Sequence, residues 1–259
     1  MRDVKISALV VAHNEEAILD DCLLCLTFAD EIAVVLDKCT DGSKEIVSNY
    51  TDRILEGEWD IEGDRRNQGI QFCRGEWILE VDADELITPE LAAEVKRMVM
   101  KSTYDIFDVP VDNYVGEQLV RYGWMAAMGP DIKPMLFRKG TKTWGCQRAH
   151  PHLTVSGRKG PRLTNPIVHR MAKNLSDLIR RFDRNTTFRA LDLRDSGEAE
   201  HFSLATLVRK MGSRFWKCFI MRKGYKEGGY GFVISILSAM YPLVSHLKAT
   251  LDASHYGTP

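Results

Sequence analysis

The sequence lacks a cysteine framework. Its six cysteines are spread over 259 residues without regular spacing, at Cys22, Cys25, Cys39, Cys73, Cys146 and Cys218. Cys22 and Cys25 form the one close pair, and they fall within an apolar helical pattern. Since no second pair completes a metal or redox site, the pair is predicted to belong to the core. No signal-peptide pattern precedes the first strand-like run, so we expect a protein of the reducing cytosol.

The chain also lacks internal repeats, low-complexity linkers and a large net charge. A net charge of -1 gives no general attraction to nucleic acid, so no nucleic-acid partner is expected. The charge is unevenly distributed, because residues 138–226 are rich in Lys and Arg whereas the first hundred are rich in acids. This asymmetry predicts a basic face for an anionic partner. With 44% hydrophobic residues, the chain can bury a substantial core.

Strand-like and helical patterns alternate along the first hundred residues. The predicted strands are 6–12, 32–36, 54–55 and 77–81, and the predicted helices are 17–26, 44–50, 62–73 and 89–101. This alternation predicts an α/β fold with a mostly parallel sheet covered by helices on both faces. Shorter β-like runs follow, and the last third is helical. We expect three parts: 1–101, 102–172 and 173–259.

An acidic turn follows the strand at 77–81. Asp82, Asp84 and Glu85 would repel one another unless a cation or several donors lie among them. Oxygen ligands at positions i and i+2 suit Mg²⁺, although a solvated turn that caps the next helix is an alternative. Asn14-Glu15 and Asp37 also follow strands, so three polar turns should meet at one edge of the sheet. Ligands bind at that edge in parallel sheets.

Four segments resemble the family 2 glycosyltransferases of the GT-A fold. In order they are 10–16, 35–37 with 40–43, 66–69, and 75–79 with 82–85. The segments 185–190 and 228–232 are similar to the branch of this family that adds β-glucose to the lipopolysaccharide core. The resemblance implies a GT-A, Rossmann-like α/β fold with a helical, membrane-associating C-terminal extension.

The resemblance also implies an activity and a set of site residues. The expected enzyme is an inverting, metal-dependent transferase that moves a hexose, expected to be glucose, from a UDP-sugar to a lipid-linked saccharide such as lipopolysaccharide core. The metal, Mg²⁺ or Mn²⁺, would be held by Asp84 with help from Asp82 and His169. The donor-binding residues would be Ala12, Asn14, Glu15, Asp37, Arg66, Asp82, Ala83 and Arg180.

Structural roles remain open for several of these residues. Asn14 and Glu15 could cap a helix, and Asp37 could hold its own turn. His169 could be a hydrogen-bonded core histidine, and Arg180 could lie on a solvated helix face. Arg66 follows a second arginine, which leaves open which of the two faces the donor and which is solvated.

The general base is the point at which the chain departs from the resemblance. A Trp followed shortly by His-Glu is expected, but here Trp144 is followed by His150-Pro151-His152, with Pro151 at the place of the Glu. Because proline cannot carry a proton, the base is Asp131, His150 or His152, or else the protein is impaired.

Residues 228–247 contain no Lys, Arg, Asp or Glu. They follow an amphipathic pattern at 204–219 that is basic on one side. We expect an interfacial hairpin on the inner face of the cytoplasmic membrane, with a spanning helix and a helix packed on its own domain as alternatives. Other functions also stay open: transfer to a capsule, exopolysaccharide or polyprenyl-phosphate acceptor, or a catalytically silent nucleotide-sugar-binding protein.

Overall fold

The computed structural model describes residues 5–100, 102–125, 128–148, 151–198 and 203–252. The chain forms two compact units. The first comprises residues 1–111, 132–147 and 151–169, and the second comprises 112–131, 148–150 and 170–259. The three-part division at 101 and 172 stays a prediction.

Parallel strands and helices alternate at the start of the first unit. The strands are β1 (Ile6–Ala12), β2 (Glu31–Asp37), β3 (Ile54–Gly57) and β4 (Trp77–Asp82), and the helices are α1 (Leu19–Leu24), α2 (Ser43–Ser48), α3 (Glu62–Phe72) and α4 (Pro89–Met100). The parallel strands lie in the order β3-β2-β1-β4. α1 is shorter than the predicted helix at 17–26, because residues 13–18 form turns.

Helices cover both faces of these strands. Ala8 and Val10 of β1 pack in one apolar cluster with residues of α1, α2 and α4. Leu9 and Val11 point to the other face and pack in a second cluster with Ile70 of α3. Because both faces are buried, β1 is apolar along its whole length rather than at alternate positions. Cys22 lies in the first cluster and Cys25 packs against it, which confirms their predicted core role.

The remaining strands make the sheet a mixed one. They are β5 (Glu85–Leu86), β6 (Ile106–Val115), β7 (Gln118–Val120), β8 (Ile132–Arg138), β9 (Lys142–Trp144), β10 (Leu153–Val155) and β11 (Ile167–Ala172). β8 is antiparallel to both β4 and β6, and β11 is antiparallel to β5. β9 and β10 form a separate antiparallel hairpin. The predicted α/β class is confirmed, with parallel pairing among β1, β2, β3 and β4 and antiparallel pairing beyond them.

Helices dominate the second unit. They are α5 (Leu175–Asp195), α6 (Leu204–Trp216) and α7 (Gly228–Leu251). Asn174 and Ser203 begin α5 and α6 as N-caps, because their side chains accept hydrogen bonds from Asp177 N and Thr206 N. A core of Trp124, Phe182, Ile234 and Tyr241 joins these helices to the loop after β7.

The apolar segment 228–247 lies within the continuous helix α7 and does not itself turn back. The hairpin is instead made by α6 and α7, which are joined by a π-helical turn (Lys217–Met221) and a 3-10 turn (Gly224–Glu227). The ring centroids of Phe215 and Phe232 lie 6.2 Å apart across this hairpin. Among the described residues, 224–251 is the helical stretch long and apolar enough to cross a membrane, and 44% of its apolar window is buried in the protein.

Candidate active site

The carboxyl ends of β1, β2 and β4 bring the three predicted polar turns to one edge. Val11 of β1 is in register with Val35 of β2 on one side and with Asp82 of β4 on the other. The turns that follow these strands therefore start at the same height, as the sequence predicts.

The first two turns are hydrogen-bonded to each other. His13 Nδ1 lies 2.6 Å from the carbonyl oxygen of Asp37, and the Asn14 side-chain oxygen accepts from Thr40 N at 2.8 Å. Glu15 N donates to the Ser43 hydroxyl at 3.1 Å. The motifs at 10–16 and 40–43 thus hold one another in place.

Asp37 is buried and receives hydrogen bonds from two parts of the first unit. Its carboxylate accepts from Trp59 N at 3.0 Å and from Arg65 Nη1 at 2.6 Å. Arg65 is therefore engaged with Asp37 and is not the solvated member of the arginine pair. The carboxylate thus connects the end of β2 to the segment after β3 and to α3, and its contact with a nucleotide base stays a prediction.

Arg66 joins three carboxylates beneath the acidic turn. Its guanidinium contacts Glu62 at 2.8 Å, Glu80 at 2.9 Å and Asp82 at 2.7 Å. Burial alone would lower the pKa of Arg66, but the three acids together hold that pKa well above its ordinary value. The arginine therefore stays charged and fixes the first carboxylate of the acidic turn.

Lys133 of β8 is a second cation among the acids. Its ammonium lies 2.7 Å from Asp82 Oδ2 and 2.5 Å from Glu85 Oε1. Burial would raise the pKa of Asp82, yet Arg66 and Lys133 keep it well below its ordinary value. Burial raises the pKa of Glu85 despite the opposing effect of Lys133. Cationic side chains of the protein therefore offset much of the repulsion among the carboxylates of the acidic turn.

Glu80 is a buried acid in the middle of β4. It accepts from Lys142 Nζ at 2.6 Å and from Trp144 Nε1 at 3.0 Å, in addition to Arg66. Burial would raise the pKa of Glu80, but Lys142 and Arg66 lower it below its ordinary value. Burial likewise lowers the pKa of Lys142 although Glu80 opposes the shift. These contacts connect the strand that precedes the acidic turn to the β9–β10 hairpin.

α3 fixes the start of that hairpin loop. The Asn67 side chain donates to Trp144 O and accepts from Trp144 N, both at 2.9 Å, and so pairs with this backbone as a neighbouring strand would. A Cβ on Gly63 would stand 1.9 Å from the carbonyl oxygen of Gly145, so only glycine allows this approach. The loop that enters the region of the expected base therefore rests directly on the helix that carries Arg65 and Arg66.

The family profile described as Glycosyl transferase family 2 matches residues 7–158, which is more than half of the chain. The chain belongs to this family. It is a glycosyltransferase, and its α/β topology is that of the predicted GT-A fold.

Several named proteins are similar to the chain. The chain is 22% identical over 256 residues to the lipopolysaccharide core biosynthesis glycosyltransferase LpsC of Rhizobium meliloti, with 94% of this chain and 91% of LpsC covered. It is 32% identical over 100 residues to the poly(ribitol-phosphate) beta-glucosyltransferase of Bacillus spizizenii, with 34% and 16% covered. Among solved structures, S. aureus TarS 1-349 in complex with UDP aligns with a TM-score of 0.48 and 14% identity, covering 97% of this chain and 89% of TarS.

Asp84 and His169 form the pair best suited to a divalent metal in this glycosyltransferase. Asp84 Oδ1 lies 3.5 Å from His169 Nε2, and β11 places His169 in register with Glu85. Oxygen and imidazole ligands suit Mn²⁺ and Mg²⁺. The described residues contain no cluster of three or more His, Cys, Asp or Glu side chains able to hold a metal. The donor set thus fits a metal with two protein ligands and the rest from substrate and water.

Asp82 cannot serve as a third ligand without giving up a cation. One of its oxygens contacts Arg66 and the other contacts Lys133. Ala12 and Ala83, also predicted at the donor site, are buried in the apolar core, so only their backbones could meet a donor. Their roles, like those of Asn14, Glu15 and Asp37, stay predictions.

The candidates for the general base belong to different units of the chain, and one of them lies outside the described residues. His152 has an exposed side chain, and its backbone is held by Gly145 N at 2.7 Å and by the Gln147 side chain at 2.9 Å. Asp131 belongs to the second unit, where Arg222 lies 3.4 Å from its carboxylate. His150 lies outside the described residues. The choice among them stays open.

Arg180 also belongs to the second unit, and its side chain is 72% exposed beside Asp177. This agrees with the solvated helix face left open above, and a phosphate contact stays a prediction.

Sequence reasoning missed Glu80, Lys142 and Lys133. An acid inside the apolar run of β4 is a signal that a buried partner exists, so Glu80 could have been found. Lys133 carries no such signal, since its contact depends on strand pairing. β8 pairs with β4 so that Leu136 faces Leu79, and continuing this register places Lys133 opposite Asp82.

Proposed function

We propose that this glycosyltransferase transfers a hexose, with glucose as the expected sugar, from a UDP-sugar to a lipid-linked saccharide such as lipopolysaccharide core. The observation that carries the proposal is the edge at which Asp37 ends β2 and Asp82 ends β4, one on each side of β1. Asp84, in the turn after β4, lies 3.5 Å from His169 of β11. The similarity to LpsC over most of both chains supports the choice of acceptor class.

The donor would meet this edge through complementary groups. Carboxylate oxygens can accept hydrogen bonds from ribose hydroxyls and from a base N–H, which is the role proposed for Glu15 and Asp37. Arg65 donates a charged hydrogen bond to Asp37, and Arg66 donates one to Asp82. These two carboxylates are therefore held in place before the UDP-sugar binds.

A divalent metal, Mg²⁺ or Mn²⁺, would be held by Asp84 and His169, with Asp82 assisting through its position beside them. When bound, such a metal stabilises negative charge on the departing diphosphate. Arg66 and Lys133 pair with Asp82, the other aspartate of the acidic turn. The acceptor hydroxyl would lose its proton to Asp131, His150 or His152, with inversion at the anomeric carbon.

We further propose that the enzyme acts at the cytoplasmic face of the membrane as a peripheral protein. The apolar helix α7 and the basic residues around it support attachment, and a lipid-linked acceptor would be confined to the same surface.

The direct test is UDP release from a panel of UDP-sugars with Mg²⁺, Mn²⁺ or a chelator. We expect release that requires the metal and is greatest with one hexose. Asp84→Asn should abolish metal-dependent UDP binding, whereas Asp60→Asn, which alters an exposed acid paired with Lys38, should bind UDP normally. An unaltered protein that neither binds nor turns over any UDP-sugar refutes the proposal.

Pro151 supports one competing function, a catalytically silent nucleotide-sugar-binding protein. That protein would bind UDP with metal, as above, but would transfer no sugar to any lipid-linked acceptor. Mass spectrometry of lipid-linked glycans after gene deletion separates it from the enzyme and also distinguishes lipopolysaccharide core from capsule, exopolysaccharide and polyprenyl-phosphate acceptors.

A further inference from the structure

The hairpin of α6 and α7 is strongly basic. Residues 203–251 contain eight Lys or Arg residues and a single acid, Glu227. That acid is occupied within the second unit, since its carboxylate accepts from the backbone N–H groups of Arg121 and Tyr122 at 3.0 Å. The hairpin therefore has little negative charge of its own to set against its cations.

A cavity of about 470 Å³ opens between the two helices. It is lined by Arg209, Lys210, Ser213, Arg214 and Pro242. The first four side chains come from adjacent turns of α6, at the i, i+4 spacing that places residues on one face. None of the lining residues is acidic, so the cavity presents three cations and a hydroxyl.

Pro242 explains why Arg214 is fixed there. Proline has no N–H, so the carbonyl four residues earlier in α7, that of Ser238, loses its helical hydrogen-bond donor. Arg214 Nε replaces that donor at 2.8 Å. This hydrogen bond holds the Nε end of the Arg214 guanidinium against α7. Burial lowers the pKa of Arg214, and Cys218 and Tyr241 oppose the shift.

Large apolar side chains are exposed on the same hairpin. They are Leu204, Val208, Trp216, Ile220, Met221, Tyr225, Phe232 and Leu251. Exposed aromatic and aliphatic side chains interleaved with Lys and Arg are typical of segments that lie in the headgroup region of a bilayer. A soluble anion would use the cations but would leave these apolar groups in water.

We infer that the cavity lined by Arg209, Ser213 and Arg214 binds the phosphate group of an anionic membrane lipid and thereby seats the α6–α7 hairpin on the membrane surface. This phosphate site rests on the peripheral membrane attachment proposed above. The protein would be attached both by the lipid phosphate in this cavity and by the contact of its exposed apolar side chains with the bilayer.

The test is co-sedimentation of the full chain with phosphatidylcholine vesicles, with and without phosphatidylglycerol. The unaltered protein should bind only the anionic vesicles. Arg209→Gln with Arg214→Gln should lower partitioning about thirtyfold, because each cation near an anionic surface contributes about fivefold. The matched control, Arg162→Gln with Lys173→Gln, removes the same charge from exposed positions outside the hairpin and should bind nearly as the unaltered protein does.

A second pair of variants covers the case in which loss of Arg214 loosens the hairpin. Ser213→Asp adds a carboxylate to the cavity at an exposed position. Ser203→Asp adds the same charge to the same helix and preserves its N-cap. We expect Ser213→Asp to reduce vesicle binding strongly and Ser203→Asp to reduce it only slightly.

The possible outcomes separate the two proposals. Unaltered protein that binds no anionic vesicle overturns both the membrane attachment and the cavity site. Normal binding by the cavity variants overturns the cavity site alone. Binding of inorganic phosphate without vesicle binding overturns the lipid as the ligand. UDP release from a UDP-sugar in vesicle-free solution reports on the transferase separately.

Discussion

The carboxyl edge of the parallel strands and the α6–α7 hairpin handle charge in opposite ways. At the edge, the acids of β4 meet cations of the first unit: buried Glu80 meets Lys142, and half-buried Asp82 meets Lys133. In the hairpin, eight cations accompany one acid. Glu80 and Asp82 are therefore paired within the first unit, whereas the hairpin has too few acids to pair with its own cations.

The largest expected effect is at the edge. Asp84→Ala removes the carboxylate that lies 3.5 Å from His169 and is proposed to hold the metal. We expect UDP release to fall about a thousandfold, equivalent to about 4 kcal/mol in the transition state. Steady-state assays with Mn²⁺ measure this effect. Activity within tenfold of the unaltered enzyme would show that the metal is held elsewhere.

Glu80→Gln tests the balance of charge inside the first unit. It leaves Arg66 and Lys142 buried with one acid fewer, so we expect the free energy of unfolding to fall by about 4 kcal/mol. Urea denaturation measures the loss. The control is Glu76→Gln, which alters a 43% exposed acid paired with Lys5 and Arg138 and should cost less than about 1 kcal/mol. Equal costs for the two variants would contradict a balanced, buried network.

A smaller effect is expected at Glu94 of α4, which holds the loop before β11. Its carboxylate accepts from the backbone N–H groups of Thr164 and Asn165 at 2.9 Å. Burial would raise the pKa of Glu94, but these hydrogen bonds lower it below its ordinary value of 4.5. The carboxylate therefore contributes stability above that pH and loses it as the pH falls through the lowered pKa.

Glu94→Gln should accordingly reduce the free energy of unfolding by about 2 kcal/mol at pH 7. The difference from the unaltered protein should shrink as the pH falls below 4.5. Urea denaturation at several pH values measures it, and a difference that grows on acidification would reverse the assigned sign.

The smallest effect is expected in the hairpin. Pro242→Ala restores an N–H that can bond the Ser238 carbonyl in place of Arg214. Because proline inside a helix is unfavourable, we expect thermal denaturation to show a gain of about 1 kcal/mol. Release of Arg214 should weaken binding to anionic vesicles about twofold. Ala239→Ser, a change on α7 that keeps Pro242, is the control and should leave vesicle binding unaltered.

Local patterns and long-range contacts differ in how far the sequence predicts them. Local patterns located β1, β2, β4, α3 and α4 closely and brought Asp37, Asp82 and Asp84 to one edge, because strand ends and helix caps are encoded within a few residues. Contacts that depend on distant pairing were missed. Lys133 meets Asp82 only because β8 runs antiparallel to β4 at one particular register.

The C-terminal region shows a second limit of prediction from the sequence. Composition marked 228–247 as apolar, but did not distinguish a segment that folds back on itself from one helix of a larger hairpin. The turn residues lie earlier, at 217–227, where Lys223 adopts a left-handed backbone conformation with φ of 60°. A lysine gives no sign of that conformation, which is usually associated with glycine.

The pairing of Asn67 with Trp144 has a consequence for how the chain is made. The two residues are 77 positions apart, so the parallel strands leave the ribosome before the hairpin that contacts them. During that interval Glu80 lies in β4 without Lys142 or Trp144. Nascent chains halted before residue 142 should therefore be more sensitive to protease than chains released after residue 160, and the protection gained between those lengths reports when the hairpin docks on α3 and β4.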